Sequence, residues 1–265
     1  MSKSRQVVHA CPRLGSPVAT LAYEFSHGHV IPDHFHPEDQ LVYASRGVMT
    51  VETLDGTWVV PPRRAVWIPA KTPHRIAMSG QVSMRTLYLR AGMAKTLPRS
   101  CCVVNVSPLM QELILQACRH PRMTRRSKTQ AHLIDLMLDQ LETMQAIPLQ
   151  LSTPSDQRAM RVAGMLEREP ADARSLVALC RQAGASKRTI ERIFARETGL
   201  SLGKWRQQLR LLRSLQLLAA GEKITTAALE AGYSTPSAFI AMFRKALGTT
   251  PRQYCKEQPA RARNR

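Results

Sequence analysis

Four side chains in the first third of the chain have the spacing of a ligand set. His34 and His36 flank Phe35, Gln40 follows four residues on, and His74 closes the segment Pro69-Ala70-Lys71-Thr72-Pro73-His74. On a strand, His34 and His36 share a face because side chains alternate with a period of two. If the chain folds so that His74 joins them, three imidazoles and an amide surround one interior point. Neutral imidazole ligates zinc, nickel, iron or manganese. A neutral Gln40 binds a divalent cation less strongly than a carboxylate would. The same histidines could instead hydrogen-bond an organic effector or complete a polar core. Arg63, Arg64 and Lys71 could draw in an anionic ligand or serve as surface charge. His27 and His29 read as solvent-facing, and Trp58 and Trp67 as core or pocket wall.

A second chemistry lies in the C-terminal half, where one pattern is written twice. Ala183–Phe194 and Ala231–Phe243 each run from a short helix through a Gly-containing turn to a hydroxyl residue and a second helix. This is the form of a helix-turn-helix, whose second helix enters a DNA major groove. Ser186 and Thr235 are expected to cap the reading helices by accepting a backbone N–H, and Pro236 suits a first helical position. In the first unit Ile190, Ile193 and Phe194 point inward, leaving Arg188, Glu191 and Arg192 outward. Arg188 and Arg192 stand one turn apart, and each can donate bidentately to guanine for about 1–3 kcal/mol of discrimination. The bland alternative is a pair of solvated charges. In the second unit Ala241 stands where the first has Arg192, so Ser237 and packing carry the reading. The expected DNA contacts are Ser186, Lys187, Arg188, Thr189, Glu191, Arg192, Arg196, Lys204, Thr235, Ser237, Arg244 and Lys245.

These groups need elements to hold them. From Val18 to about Leu89, short β-branched and aromatic runs are broken by Gly, Pro and Asp, which predicts a small barrel or double-sheet roll. From Ser107 the period turns helical. Leu109, Leu113, Ile114 and Ala117 can share one face, and Ile134, Met137, Leu141 and Met144 form a seam that packs on the barrel or on a second copy. His120 to Lys128 reads as a loop, and Ala146–Gln157 as an interdomain linker. Between the two repeats, Leu202, Trp205, Leu209, Leu212, Leu215 and Leu218 mark one helix of about 20 residues. Its length of roughly 30 Å is close to one turn of B-DNA. Lys204, Arg206, Arg210 and Arg213 are available to phosphates or to mutual solvation.

The net charge is +19 over 265 residues. Residues 1–150 carry 17 basic against 10 acidic side chains (+7), and 151–265 carry 21 against 9 (+12), so the excess is densest around the repeats. Such a surface displaces counterions from phosphate. Apolar runs are too short for a membrane span, and the polar N-terminus leads into no signal segment, which together predict a cytoplasmic protein. Six cysteines without a CxxC pair are expected to be reduced and mostly buried; the adjacent Cys101 and Cys102 could alternatively sense redox state.

Residues from about 157 to 256 resemble the DNA-binding domain of the AraC/XylS transcription regulators. The likeness rests on Ala185-Ser186, Ile190, Arg192, Phe194, Glu197-Thr198-Gly199, Leu209-Arg210, Leu217-Leu218, Gly232-Tyr233, Phe239, Phe243, Gly248, Pro251 and Tyr254. Departures are Ala227, Ala241 and Cys255. Residues 18–90 resemble a cupin sensor domain, with Gln40 in place of the usual Glu and Lys71 where Gly is common. The resemblance implies an α+β chain: a cupin-like β-barrel sensor (1–105), a helical dimerisation or packing region (106–145), a linker (146–157), two helix-turn-helix units joined by a linker helix (158–258) and a basic tail (259–265). It also implies a homodimeric activator or repressor that is not an enzyme. Its partners would be double-stranded DNA at promoter half-sites, a small-molecule effector and RNA polymerase, with His34, His36, Gln40 and His74 holding the effector or a divalent metal. The competing reading is a metal-dependent cupin oxygenase or isomerase with a DNA-binding appendage; a third is a protein that coats nucleic acid without sequence preference.

Overall fold

The computed structural model describes residues 16–144, 146–147 and 150–257; Cys11 and the tail 259–265 lie outside them. Two long strands organise the N-terminal half. β3 (Asp39–Thr53) and β6 (His74–Leu89) pair antiparallel along nearly their whole length, with register shifts between Ala44 and Val48. Bulges of this kind bend a strand and increase its twist. On one side of the bend, β1 (Val18–Phe25) pairs with β6 and β5 (Arg64–Ile68) with β3. On the other side, β2 (Val30–His34) pairs with β6 and β4 (Gly56–Val60) with β3. Two half-sheets therefore share β3 and β6 and roll over a common interior. β7 (Cys102–Asn105) extends the sheet beyond β5.

Alternation along the strands feeds two cores. Val42, Val66 and Met84 face the roll interior, whereas Leu41, Tyr43, Trp67 and Leu87 face outward under two helices. These are α1 (Pro108–Ala117), capped by Ser107, and α2 (Lys128–Glu142), capped by Ser127. Met110, Ile114 and Ala117 of α1 and Ile134, Met137 and Leu141 of α2 are buried against the sheet. The seam through Ile134, Met137 and Leu141 is thus used within the chain and offers no surface to a second copy. Leu109, expected inside α1, is 48% exposed, and Met110 takes the buried place. Inside the expected loop at 120–128, β8 (Arg122–Met123) pairs with β1.

The segment expected to be a linker is structured too. β9 (Ala146–Ile147) pairs with β7, and β10 (Gln150–Ser152) pairs with β4, so backbone hydrogen bonding draws the connection into the sheet. The helices then follow as α3 (Gln157–Arg168), α4 (Leu176–Gln182), α5 (Lys187–Thr198), α6 (Leu202–Ala220), α7 (Ile224–Glu230), α8 (Pro236–Leu247) and α9 (Pro251–Glu257). No helix among the described residues is long and apolar enough to cross a membrane.

α6 has the predicted stripe, and Leu202, Trp205, Leu209, Leu212, Leu215 and Leu218 are all buried. Leu211 and Leu217 are buried as well, and α6 also packs on β3, β6 and β10. Polar contacts fix this second face. Gln216 Nε2 donates to Thr50 Oγ1 at 2.9 Å, and Trp205 Nε1 donates to the Ser152 carbonyl at 2.9 Å. Gly80, at the β6 bend, has φ +76°, and a Cβ there would lie 2.1 Å from the Ala219 carbonyl oxygen. Gly80→Ala combines left-handed strain with a backbone collision, so it should destabilise the protein by about 2–3 kcal/mol. Urea unfolding, with trypsin cleavage between residues 150 and 161 as a monitor of undocking, checks this; an unchanged midpoint and cleavage rate would show that Gly80 does not govern the contact.

Candidate functional site

The three histidines converge, although strand alternation does not place them: β2 ends at His34, and His36 sits in the turn before β3. His34 ends β2 and His74 begins β6, and the two are register partners. Their ring centroids are 4.2 Å apart, and that of His36 lies 5.3 Å from His74 and 6.2 Å from His34. One ligand atom from each lies within 4.8 Å of the others. Each Nδ1 faces a backbone carbonyl two residues away, at Pro32, Glu38 and Thr72, all at 2.8 Å. A carbonyl only accepts, so Nδ1 must carry the proton and each neutral ring is left with its lone pair on Nε2. This is the tautomer a metal requires, fixed by the hydrogen bond at the opposite nitrogen.

The Nε2 atoms differ in their partners. His74 Nε2 is buried with no hydrogen-bond partner. His36 Nε2 and Gln40 Oε1 lie 3.0 Å apart as two bare acceptors when the ring is neutral, a pair that a cation would satisfy, while Gln40 Nε2 donates to Thr86 Oγ1 at 3.0 Å and that hydroxyl donates to the Leu41 carbonyl. Thr86 thus orients the Gln40 amide with its oxygen toward the cluster. Burial is the main force lowering the His34 and His74 pKa values, opposed by the carbonyl bonds and reinforced by neighbouring histidines; His74 falls to about 4. Three unprotonated nitrogens and one amide oxygen fit a borderline divalent cation. The nearby Asp39 carboxylate accepts the Ala70 and Gly92 N–H groups, one per oxygen. Lys71 N donates to the His36 carbonyl at 2.7 Å. His27 and His29 are exposed, and Trp58 and Trp67 are core. Burial pushes the thiols of Cys101 and Cys102 up to about 12 and about 11, which removes the thiolate a redox sensor needs.

The second surface is built on capped helices. Ser186 Oγ accepts Thr189 N at 3.1 Å and Thr235 Oγ1 accepts Ala238 N at 3.2 Å, as expected for the first turns of α5 and α8. Ile190, Ile193 and Phe194 of α5 and Phe239, Met242 and Phe243 of α8 are buried. Lys187, Arg188, Arg192 and Arg196 are exposed on α5, as are Ser237, Ile240, Ala241, Arg244 and Lys245 on α8 and Lys204 on α6. Docking of α6 on the sheet therefore leaves both reading faces open.

Three expected contacts are already engaged within the chain. Thr189 is half-buried, its hydroxyl 2.9 Å from Ser186 Oγ. Glu191 Oε2 accepts Leu202 N at 2.9 Å, where α6 starts. Arg196 donates to Glu197 at 2.7 Å. Arg206 and Arg210 bond backbone carbonyls, so they are internal braces and not free cations. Sequence reading passed over Glu197, which accepts Ser155 N at 2.8 Å and Asp156 N at 3.1 Å; Arg196, followed by these N–H groups, holds its carboxyl down at about 2.

Comparison with known proteins agrees with both halves. Residues 17–155 match the family model for an AraC-like ligand binding domain, and residues 179–257 match that for a helix-turn-helix domain. The HTH-type transcriptional regulator NimR of Escherichia coli is 33% identical over 84% of this chain and 81% of its own length. The thermoregulatory protein LcrF of Yersinia pestis is 25% identical over 82% and 79% respectively. A crystal structure of ToxT from Vibrio cholerae, solved with an unsaturated fatty acid bound, aligns over 91% of this chain and 96% of its own at 11% identity, with a TM-score of 0.39.

The histidine cluster has a pH signature. Because the folded pKa of His74 is about 4 against an ordinary 6.5, the unfolded chain binds this proton more readily between those values. His74 therefore contributes nothing above pH 6.5 and costs stability as the pH falls toward 4, by about 3 kcal/mol in total. Urea midpoints of chelator-treated protein at pH 7 and pH 4.5 should show this loss, and His74→Gln should flatten it; an equally steep loss in the variant would assign it to other groups.

Proposed function

This chain belongs to the AraC family of transcription regulators, and we propose that α5 and α8 read two promoter half-sites under control of a ligand held by His34, His36, Gln40 and His74. The family assignment makes it a DNA-binding regulator with a ligand-binding domain. The observation that carries the division of labour is the pair of capped helices whose charged or polar faces stay exposed while the opposite side of their shared helix rests on the sheet. Lys187, Arg196, Lys204, Arg244 and Lys245 meet phosphates and set register. Ser186 and Thr235 cap their helices where backbone N–H groups approach a phosphate. Arg188 and Arg192 read guanine edges. Ser237, Ile240 and Ala241 carry no guanidinium, so the second unit anchors and reads by packing. Glu191 and Thr189 contribute by fixing α5, and the boundaries at residues 105, 145, 157 and 258 divide the sensor, the helical region, the connection and the reader.

In the sensor, the buried lone pair of His74 and the oriented Gln40 amide support a divalent metal or an organic effector at the cluster. A bound ion would supply a Lewis-acid point for an oxygen or nitrogen of the effector. The protein's own residues hold three neutral nitrogens ready and exclude bulk water from His36 and His74. β6 passes from His74 to Gly80 before running on, and β3 passes from Gln40 to Thr50, so each strand that begins at the cluster reaches α6 along its course. Ligand occupancy is passed along these strands to the reader. Both oxygens of Asp39 are committed to backbone N–H groups, which favours a sensor over an enzyme needing a general base there. A homodimer would form through the outer faces of α1 and α2, where Leu109 and Leu136 are exposed. RNA polymerase is the expected further partner, in the cytoplasm.

Two outcomes follow. Elemental analysis of untagged protein should find close to one divalent ion per chain, lost in His74→Ala; an apo protein that stays empty on titration with zinc, nickel, iron and manganese leaves an organic effector as the occupant. In selection from random duplex DNA, Arg192→Ala should lose about 1–3 kcal/mol of discrimination at one base pair, whereas Arg244→Ala should weaken all sequences alike and lower the salt slope by about one. Equal loss of discrimination in Arg192→Ala and Ser237→Ala would refute the asymmetry between the units.

A further inference from the structure

Arg206 and Arg210 stand one turn apart on α6, and both are half-buried. Burying a guanidinium is costly unless acceptors hold it, and here the acceptors come from a single loop. Arg206 Nη2 donates to the Asp172 carbonyl, and Arg210 Nε donates to the Pro170 carbonyl at 3.1 Å. Both carbonyls lie between α3 and α4, on the approach to the first reading unit. Asp172 is itself fixed: its carboxylate accepts Arg174 N at 2.8 Å and pairs with the Arg174 guanidinium.

The second unit meets the same loop. The Arg210 guanidinium carbon lies 5.8 Å from the ring centroid of Tyr233, within cation–π reach. Tyr233 follows Gly232 in the turn between α7 and α8, and its ring packs on Phe239 of the reading helix, centroids 5.5 Å apart. Gly232 has φ +85°. A Cβ there would meet the Pro170 oxygen at 2.6 Å, Arg210 Nη2 at 2.7 Å and the Ala171 Cα at 2.9 Å. The turn of the second unit is therefore seated on the loop leading to the first, with Arg210 filling the corner.

We propose that Arg210, seated against Gly232, is a positioning residue that fixes the angle between α5 and α8 and so the half-site spacing the protein accepts. It acts without touching DNA. The inference rests on the reading of α5 and α8 as the DNA readers, and the test separates the two. Full-length wild type, Arg210→Met, Arg210→Lys and Gly232→Ala are each used to select binders from a random-sequence duplex library. Wild type should enrich a two-part motif at one spacing. Arg210→Met and Gly232→Ala should enrich the same half-sites with the spacing spread over several base pairs. On the wild-type duplex they should bind about tenfold more weakly, because the second contact loses effective concentration, while binding to a single half-site is unchanged. The slope of log affinity against log salt should also stay the same, since no phosphate contact is lost. Undiminished spacing preference in the variants, or a slope lower by about one in Arg210→Met, would overturn the proposal. If wild type enriches no motif, the DNA-reading premise fails instead. Should Arg210→Met lose its helical circular dichroism, Arg210→Lys, which keeps stem and charge but not the Nε donor, carries the same expectation.

Discussion

One helix has to satisfy two surfaces at once, and the rest of the molecule is arranged around that demand. α6 lies in one core with the helices of both reading units, and it is also the element on which the sheet rests, with Gln216 bonded to Thr50 and Trp205 to the Ser152 carbonyl. A surface helix normally keeps one polar face. Here Leu202 to Leu218 is buried on more than one side, and charge survives along the helix only where a partner or solvent accepts it: Lys204 and Arg213 are exposed, and Arg206 and Arg210 are braced. A change in the sheet cannot be absorbed by a solvent gap, because Gly80 already brings backbone against backbone at Ala219. Close-packed contacts of this kind shift between discrete arrangements more readily than they stretch.

The sensor cluster shows how burial prepares a site before any ligand arrives. Desolvation opposes protonation of His34 and His74, and their Nδ1 carbonyl bonds, though they favour the charged form, fix which nitrogen stays bare. The two effects have opposite signs on pKa, and burial wins. The outcome at His34 and His74 is a pair of rings neutral near pH 7 yet already oriented, with an unpaired buried atom at His74 whose desolvation no protein contact offsets.

Much of this was legible in the chain because it is local. Ser186, Ser201 and Thr235 cap the helices they precede, and the α6 stripe is buried in full, since both follow from residues within a turn or two. The spacing of His34, His36 and His74 marked them as one cluster, and they do converge, although β2 ends at His34 and His36 joins from the turn before β3. What escaped is what depends on distant partners. The period of Ile134, Met137 and Leu141 reveals a buried face but not what buries it, and the sheet does. Polar connecting residues suggest a linker, yet edge strands β4 and β7 recruit 146–152. Arg210 and Pro170 are 40 residues apart, and no spacing rule marks an arginine whose acceptor is a carbonyl.

The acidic residues of α5 show why a reading helix in a chain of charge +19 retains carboxylates at all. Near phosphate an unpaired carboxylate repels the partner, so Glu191 and Glu197 would weaken binding if they pointed at DNA. Each instead accepts backbone N–H groups at the start of another helix: Glu191 holds Leu202 of α6, and Glu197 holds Ser155 and Asp156 just before α3. These N–H groups lie at positive helix ends, which stabilise a carboxylate and partly offset its field toward phosphate. The two glutamates are six positions apart, on different faces of α5, and so tie the helix to the element before it and to the one after it. The acidic residues of α5 thus fix where the helix stands, and Lys187, Arg188 and Arg192 stay exposed on it.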